Sequence, residues 1–467
     1  MILSVSLGGM AVLSSLFILV GFKNKVTSID DYITHRGKAS PAVAGFSLAA
    51  SVLGAWILFS PGETGSWAGV TGLTGYALGQ AMPLFLLAFF GPLLAKLIPQ
   101  GYGLSDYVAA RFGQRTALLT GTIMLFYMGT FLTAELTAIG QVLSLTLGTP
   151  LIIGCSAITL MVFAYVFRGG LGASIKTDRI QLYVLVPLLL AFAAAVVSAL
   201  SVKGAVIAQV QQNAPELLSL SFMPGWKFGV VLFIGVTASN LFHQGFWQRV
   251  YSVDSSAAQK KAFLLGGAIV IPLIFLAGFF GIFARSAGTL DSSAPSLGMF
   301  SLLGLLSPIF TVVLVLLAFV LALSSVDTLL NGMVSTISSW NGIDEDNPAI
   351  LGRAKLLTIV IGVLATLFGS RGGSVLYLFL LADLICSAFA FPLLYGLFNK
   401  KINGAQALIC GFAGIVLGAL FFPKPDFSSW SGLPADMFIS FLGALIISAA
   451  LSVVFGLKIG EKHEKKC

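Results

Sequence analysis

Thirteen separate runs of about 20 apolar residues leave a chain of this kind few folds, because each is long enough to cross a bilayer as a helix. They lie at 2–22, 42–61, 70–98, 117–147, 150–168, 176–200, 226–246, 262–284, 300–337, 354–370, 374–398, 404–422 and 436–457. Only 9% of the 467 residues are charged, against roughly 25% in an ordinary soluble domain. The runs are long and continuous rather than short and alternating, which excludes a transmembrane barrel and leaves an all-α, polytopic membrane protein. The 52 Gly and 17 Pro are compatible with this, since neighbouring helices satisfy the backbone groups that such residues free.

A net charge of +8 does not point to nucleic acid, because the basic residues are scattered through the short connections. They act as topology signals. With the N-terminus outside and the C-terminus in the cytoplasm, 21 of the 26 Lys and Arg fall on the cytoplasmic side, including Lys25, Arg249 and four lysines of the tail. Lys203, Lys227, Arg285, Arg371 and Lys424 remain outside. A missed or invented span would scramble this bias, so it supports thirteen spans in the plasma membrane, the inner membrane of a prokaryote. The first run has no basic segment before it and no small-residue cleavage site, and is kept as a helix. Cys155, Cys386 and Cys410 lie in apolar runs and Cys467 ends the chain, a spacing that implies neither a disulfide nor a metal cluster. No linker divides the chain, which forms one domain over 1–467. Residues 104–116 read as a short amphipathic helix, and 201–225 as a loop or partial helix.

Polar chemistry concentrates in Leu321–Ser338. On a helical wheel Ser324, Asp327, Thr328, Asn331 and Ser335 share one face. A carboxylate within an apolar helix faces a partner, a bundle interior or a water-filled path. Asp327 is therefore either a structural group bonded to neighbouring helices or part of a cation site, since hydroxyl, carbonyl and carboxylate oxygens suit a hard cation. The fourth run carries a stripe of Tyr127, Thr130, Thr133, Thr137 and Gln141, with Glu135 pointing away from its centre.

Two runs look interrupted. The second contains Gly54, Pro61, Gly62 and Gly65, and the seventh contains the polar cluster GVTASNLFHQGFW. Interrupted helices in corresponding positions of two halves mark a transporter's midplane site. Their five-span separation predicts an inverted repeat of five helices, 42–200 and 226–398, with a leading helix at 2–22 and two trailing helices at 404–457.

Several segments resemble the sodium:solute symporter family, whose members transport proline, sugars, sialic acid, vitamins, urea or monocarboxylates. They are IDDYITHRGKASP, GLSDYVAARFG, GGLGASIKTDRIQ, FWQRVYSVDSSAAQKKA, LSSVDTLLNGMVSTIS and AFPLLYGLFNKKINGAQALICGFAGIVLG. The resemblance implies a LeuT-like fold of five plus five helices and alternating access coupled to Na⁺. It places the principal sodium site on backbone carbonyls of Ala50, Leu53 and Leu321 with the hydroxyls of Ser324 and Ser325. A second sodium site, found in some relatives, corresponds to Ser324, Asp327, Thr328 and Asp178, although Asp178 is equally placed to pair at a surface with Lys176 or Arg179. On the substrate side the resemblance points to Ser51, Val52 and Gly54 in the second run, Asn240 and His243 in the seventh, and Gln80 and Gln244 as amide contacts. His243 departs from the aromatic residue usual at its position.

The charge inventory constrains the solute. Glu135, Asp327 and Asp383 lie mid-span, while every Lys and Arg sits at a run's end or in a connection. An anionic solute thus lacks a fixed counter-charge, and a neutral or zwitterionic solute such as an amino acid, or a cationic one, is expected. No nucleophile–base motif, nucleotide loop or metal-ligand spacing suggests an enzyme. The expected function is a Na⁺-coupled symporter working as a monomer among membrane lipids. The alternatives are a proton-coupled transporter of the same fold, with Asp327 or Glu135 titrating, and a solute sensor without stoichiometric transport.

Overall fold

The computed structural model describes residues 2–23, 26–202, 204–340, 347–426 and 428–458. Lys25, Lys203 and the lysines at 462, 465 and 466, all used in the topology count, lie outside the described residues, as does Cys467. In chain order the helices are α1 (Ile2–Lys23), α2 (Ile29–Thr34), α3 (Pro41–Val52), α4 (Ser60–Leu97), α5 (Leu104–Phe112), α6 (Gln114–Leu147) and α7 (Leu151–Ser201). There follow α8 (Val206–Asn213), α9 (Met223–Asn240), α10 (Gln244–Ser252), α11 (Ser256–Ser286), α12 (Gly298–Ser301) and α13 (Ile309–Ser339). The chain closes with α14 (Pro348–Gly369), α15 (Val375–Tyr395), α16 (Gly404–Phe421) and α17 (Met437–Lys458). An isolated bridge between Pro423 and Ser429 is the nearest approach to sheet among the described residues.

Ten helical segments are long and apolar enough to span a membrane, and α9 with α10, bent by 57°, makes an eleventh. The count of thirteen is not reached by that measure: the two further runs fall on shorter apolar helices, Pro41–Val52 and Leu151–Ala164. Apolar length alone cannot separate runs that fold into one continuous helical path. The 70–98 run joins the end of the 42–61 run within α4, and 150–168 joins 176–200 within α7. Both junctions turn at a glycine of positive φ, Gly69 (φ 59°, ψ −159°) and Gly170 (φ 57°, ψ −157°). The run at 300–337 also divides, because Leu306–Pro308 separates the short turns of 298–305 from α13.

α13 and α15 are the most deeply buried of the long apolar helices, each with 72% of its apolar window enclosed, against 11% for α1. α13 packs on α7 and α6, while α11 lies along α4 and α3. α1 exposes Leu3, Val12 and Leu19, as a helix at the lipid boundary does. The 104–116 segment divides at Gly113, whose φ of 91° ends α5 before α6 begins. The 201–225 connection contains α8 and a 3₁₀ turn at Pro215–Leu218.

The short α2 is clamped rather than free. Tyr32 donates to the Val166 carbonyl at 3.3 Å, and its backbone lies against Gly170. Burial acts to raise the pKa of Asp31, but Lys38 Nζ at 2.6 Å, with Thr27 and His35, outweighs it and holds the carboxyl at about 2. This stabilisation is present above the ordinary value of 3.8 and lost as pH falls through about 2.

At Gly170 a Cβ would meet both a left-handed φ and the Tyr32 backbone at 2.5 Å. Gly170→Ala should therefore lower thermal stability by about 1–3 kcal/mol, whereas Gly8→Ala, with open space around it, should leave it unchanged. Unfolding of the detergent-solubilised variants checks this.

Candidate cation and solute sites

α3 stops at Val52, and Leu53 and Gly54 are extended before a 3₁₀ turn at Ala55–Leu58 leads into α4. The helix ends before Gly54 could close onto the Ala50 carbonyl, and the Ile57 N–H bonds the Gly54 carbonyl instead of continuing the α-helical ladder. The Ala55 N–H is taken by Glu135 Oε2 of α6 at 2.8 Å. Carbonyls freed in this way can serve a cation. Across the break, Ser325 of α13 donates to the carbonyls of Leu321 and Ala322 at 3.2 and 3.3 Å. Ala50, Leu53, Leu321 and Ser324 are completely buried, and Ser325 nearly so.

One turn away lies a buried ion pair. Arg249 of α10 and Asp178 of α7 both have zero side-chain exposure and meet at 2.8 Å. The guanidinium also donates to Ser47 (2.8 Å), Ser51 (2.7 Å), Thr328 (3.1 Å) and the Gly245 carbonyl (2.8 Å). Asp178 accepts from Ser47 at 2.6 Å through Oδ2 and from Ser324 at 2.7 Å through Oδ1. Asp327 accepts from Ser174 at 2.7 Å and Thr177 at 3.3 Å. Four helices, α3, α7, α10 and α13, are thereby tied through one set of polar atoms. The charge inventory is corrected here: Arg249, assigned to a cytoplasmic connection, is fully buried, because a tertiary partner supplies its counter-charge. Asp178 is not a surface carboxylate of Lys176 or Arg179.

A cavity of about 10 Å³, room for at most about one water, lies between α4, α6, α9 and α15. Tyr76, Gln80, Tyr127, Phe131, Ser239, Asn240, Phe379 and Asp383 are among its walls. Tyr127 donates to Asn240 Oδ1 at 3.1 Å, and Asn240 Nδ2 to Gln80 Oε1 at 3.3 Å. Asp383 is 2% exposed and its Oδ2 has no hydrogen-bond partner. Trp56 stacks on Tyr76 at 5.6 Å and meets Phe379 edge-on at 5.7 Å, so aromatic rings from the break extend the cavity wall. Leu376 also lines a second cavity of about 480 Å³, whose walls include Glu63, Trp67, Lys227, Tyr377 and Asp436.

The residues singled out in the sequence are thus distributed over three places. Ala50, Leu53, Leu321, Ser324 and Ser325 gather at the break. Ser51 joins Asp178 and Thr328 around Arg249, with Asp327 beside them through Ser174. Gln80 and Asn240 line the cavity. Val52 accepts from Trp56 Nε1 at 3.3 Å, and Gly54 faces Glu135. His243 accepts from the Gly245 N–H at 3.1 Å, stacks on Phe246 and stands edge-on to Tyr127 and Phe131. Gln244 bonds the Tyr102 carbonyl and Ser335, away from the cavity. Along α6, Thr133 and Thr137 bond their own helix backbone; Glu135, opposite the polar stripe, faces the break. Sequence reasoning did not single out Arg249, Tyr76, Ser239, Phe131 or Phe379; no local pattern distinguishes them from packing residues.

A broken helix held between two long scaffold helices, with polar groups converging at mid-depth, defines a multi-pass secondary transporter of LeuT-like fold. The sodium:solute symporter family model matches residues 32–414, and the chain belongs to that family. A spermidine transporter of Candida albicans is 24% identical over 453 residues, 93% of this chain and 84% of its own. A urea active transporter of Saccharomyces cerevisiae is 23% identical over 279 residues, covering 56% of this chain and 37% of that protein. Among solved structures, a substrate-bound, outward-open Na⁺-coupled sialic acid symporter superposes with a TM-score of 0.76 over 97% of this chain and 96% of that one, at 20% identity. Mhp1, a nucleobase-cation-symport-1 family transporter closed around bromovinylhydantoin, gives 0.57 over 94% and 97% at 17% identity. The family and these relatives are transporters, not enzymes. Both curated relatives are yeast proteins and lend no support to a prokaryotic source.

The ion pair carries a stability prediction. Asp178→Asn or Arg249→Met alone leaves a buried charge unpaired and should cost about 3–5 kcal/mol, while the double variant should cost less than the sum. A thermal-unfolding double-mutant cycle reads the coupling directly.

Proposed function

We propose that this protein is a Na⁺-coupled symporter that imports a small cationic amine. The observation that carries the solute class is Asp383: a buried carboxylate with an unpartnered oxygen, in a cavity whose lining holds no Lys, Arg or His. Tyr76, Tyr127, Phe131 and Phe379 surround that space, and aromatic faces attract a desolvated ammonium. The likeness to a spermidine transporter agrees with this chemistry. A zwitterion such as an amino acid would leave its own carboxylate without a basic partner there. Gln80 and Asn240 supply polar contacts for the rest of the solute.

Na⁺ is assigned to the break, on the carbonyls of Ala50, Leu53 and Leu321 and the hydroxyls of Ser324 and Ser325. A second Na⁺ at Asp178, Asp327 and Thr328 would have to compete with Arg249, whose guanidinium already neutralises Asp178 at 2.8 Å. We therefore assign one Na⁺ per cycle. Cation binding draws α3 and α13 together, and by reciprocal coupling the solute tightens Na⁺ binding. The Lys and Arg bias supports an N-terminus outside and a C-terminus inside.

Thermal stabilisation of the purified protein tests both assignments, since a ligand of the folded state raises apparent stability by mass action. Na⁺ should stabilise where K⁺ or choline does not, and spermidine or putrescine should add to it only with Na⁺ present, whereas proline and urea should not. Asp383→Asn should weaken the amine response by about two orders of magnitude, as expected for loss of a buried charge partner worth 2–5 kcal/mol. Ser325→Ala should raise the Na⁺ requirement with normal expression. A proline or urea response unaffected by Asp383→Asn would overturn the cationic assignment, and a Na⁺-independent, proton-driven uptake would overturn the Na⁺ one.

A further inference from the structure

We infer that Glu135 of α6 is a direct ligand of the coupling cation, the carboxylate that completes an otherwise neutral set of oxygens at the helix break. The inference rests on the assignment of Na⁺ to that break.

Three observations converge. First, Glu135 is completely buried, and its carboxylate is divided: Oε2 accepts the Ala55 N–H at 2.8 Å, while Oε1 has no hydrogen-bond partner. A buried anionic oxygen left unpaired is costly in a low-dielectric interior. Secondly, the carboxylate lies against the backbone that would bind the cation. A Cβ at Gly54, the residue after Leu53, would collide with both of its oxygens. The polar groups that face it are the Ala55 and Trp56 amides and the Ser325 hydroxyl; the last is itself assigned to the cation. Thirdly, the other oxygens of the site are carbonyls and hydroxyls without formal charge. A cation among neutral dipoles at mid-membrane and an unpaired carboxylate at the same break are each unfavourable, and together they neutralise one another. Asp178 cannot supply this charge, because Arg249 holds it.

The arrangement differs from a simple cap on the 3₁₀ turn of Ala55–Leu58. A cap uses one oxygen, and Gln serves as well as Glu. A ligand uses the second oxygen and its charge, and Gln does not replace it.

The test is a Na⁺ titration of thermal stability for the parent, Glu135→Gln, Glu135→Asp and Ser325→Ala, with choline holding ionic strength. Glu135→Gln should keep the unfolding temperature measured without Na⁺, raise the Na⁺ midpoint by on the order of tenfold or more, and narrow the preference for Na⁺ over Li⁺ and K⁺. Glu135→Asp should fall between. In the parent, labelling of Glu135 by a hydrophobic carbodiimide, located by peptide mass spectrometry, should be suppressed by Na⁺ and not by choline. An unchanged Na⁺ midpoint in Glu135→Gln, with Ser325→Ala impaired, overturns the assignment of Glu135 while leaving the Na⁺ site standing. If the parent shows no Na⁺ response, the Na⁺ site itself fails and Glu135 with it. Should Glu135→Gln not fold, the carbodiimide experiment decides: Na⁺-insensitive labelling overturns the assignment.

Discussion

A helix broken at mid-membrane exposes peptide groups that lipid cannot satisfy, and much of this structure follows from meeting that demand. The break at Leu53–Phe59 is wedged between α6 and α13, which supply Glu135 on one side and a hydroxyl-bearing face on the other. Its aromatic residues serve a different purpose. Trp56 stacks on Tyr76 and meets Phe379 edge-on, so a residue that bridges the break also packs on the wall of the cavity between α4, α6, α9 and α15. Under the assignment proposed above, a cation bound at the freed carbonyls is mechanically close to the solute, which gives a physical basis for coupling the two.

The second demand is electrostatic. Burying Arg249 and Asp178 removes two full charges from water, and only their mutual contact and five surrounding hydroxyl and carbonyl partners make the burial tolerable. The pair and its partners together span four helices, α3, α7, α10 and α13, so the pair holds their register. Asn331 and Gln181, both buried near this region of α13 and α7, have side-chain atoms without partners.

The polar face of α13 was visible from helical spacing, because a buried helix at 3.6 residues per turn sorts its side chains without help from elsewhere. The interruption after Val52 was visible from Gly54 and Pro61, the amphipathic helix starting at Leu104 from its pattern, although it ends at Phe112 rather than 116, and the family from ordered motifs. Glu135 illustrates the limit: its angle on α6 showed that it avoids the Thr stripe, but nothing in the helix shows which neighbour stands opposite.

The sequence by itself determined that this is a polytopic helical membrane protein with broken helices and a sodium:solute symporter pattern, since apolar length, helical period and glycine placement act within a segment. Tertiary structure alone decided the charge pairing. Arg249 looks like a connection residue until α10 folds back on α7; Asp178 looks like a surface acid until Arg249 reaches it. Ser51 looks like a solute contact until the guanidinium claims its hydroxyl. Asp383 and the aromatic rings around it come to line one cavity only when α4, α6, α9 and α15 meet, because electrostatic partners and cavity walls are set by distances across space that spacing along one helix does not encode.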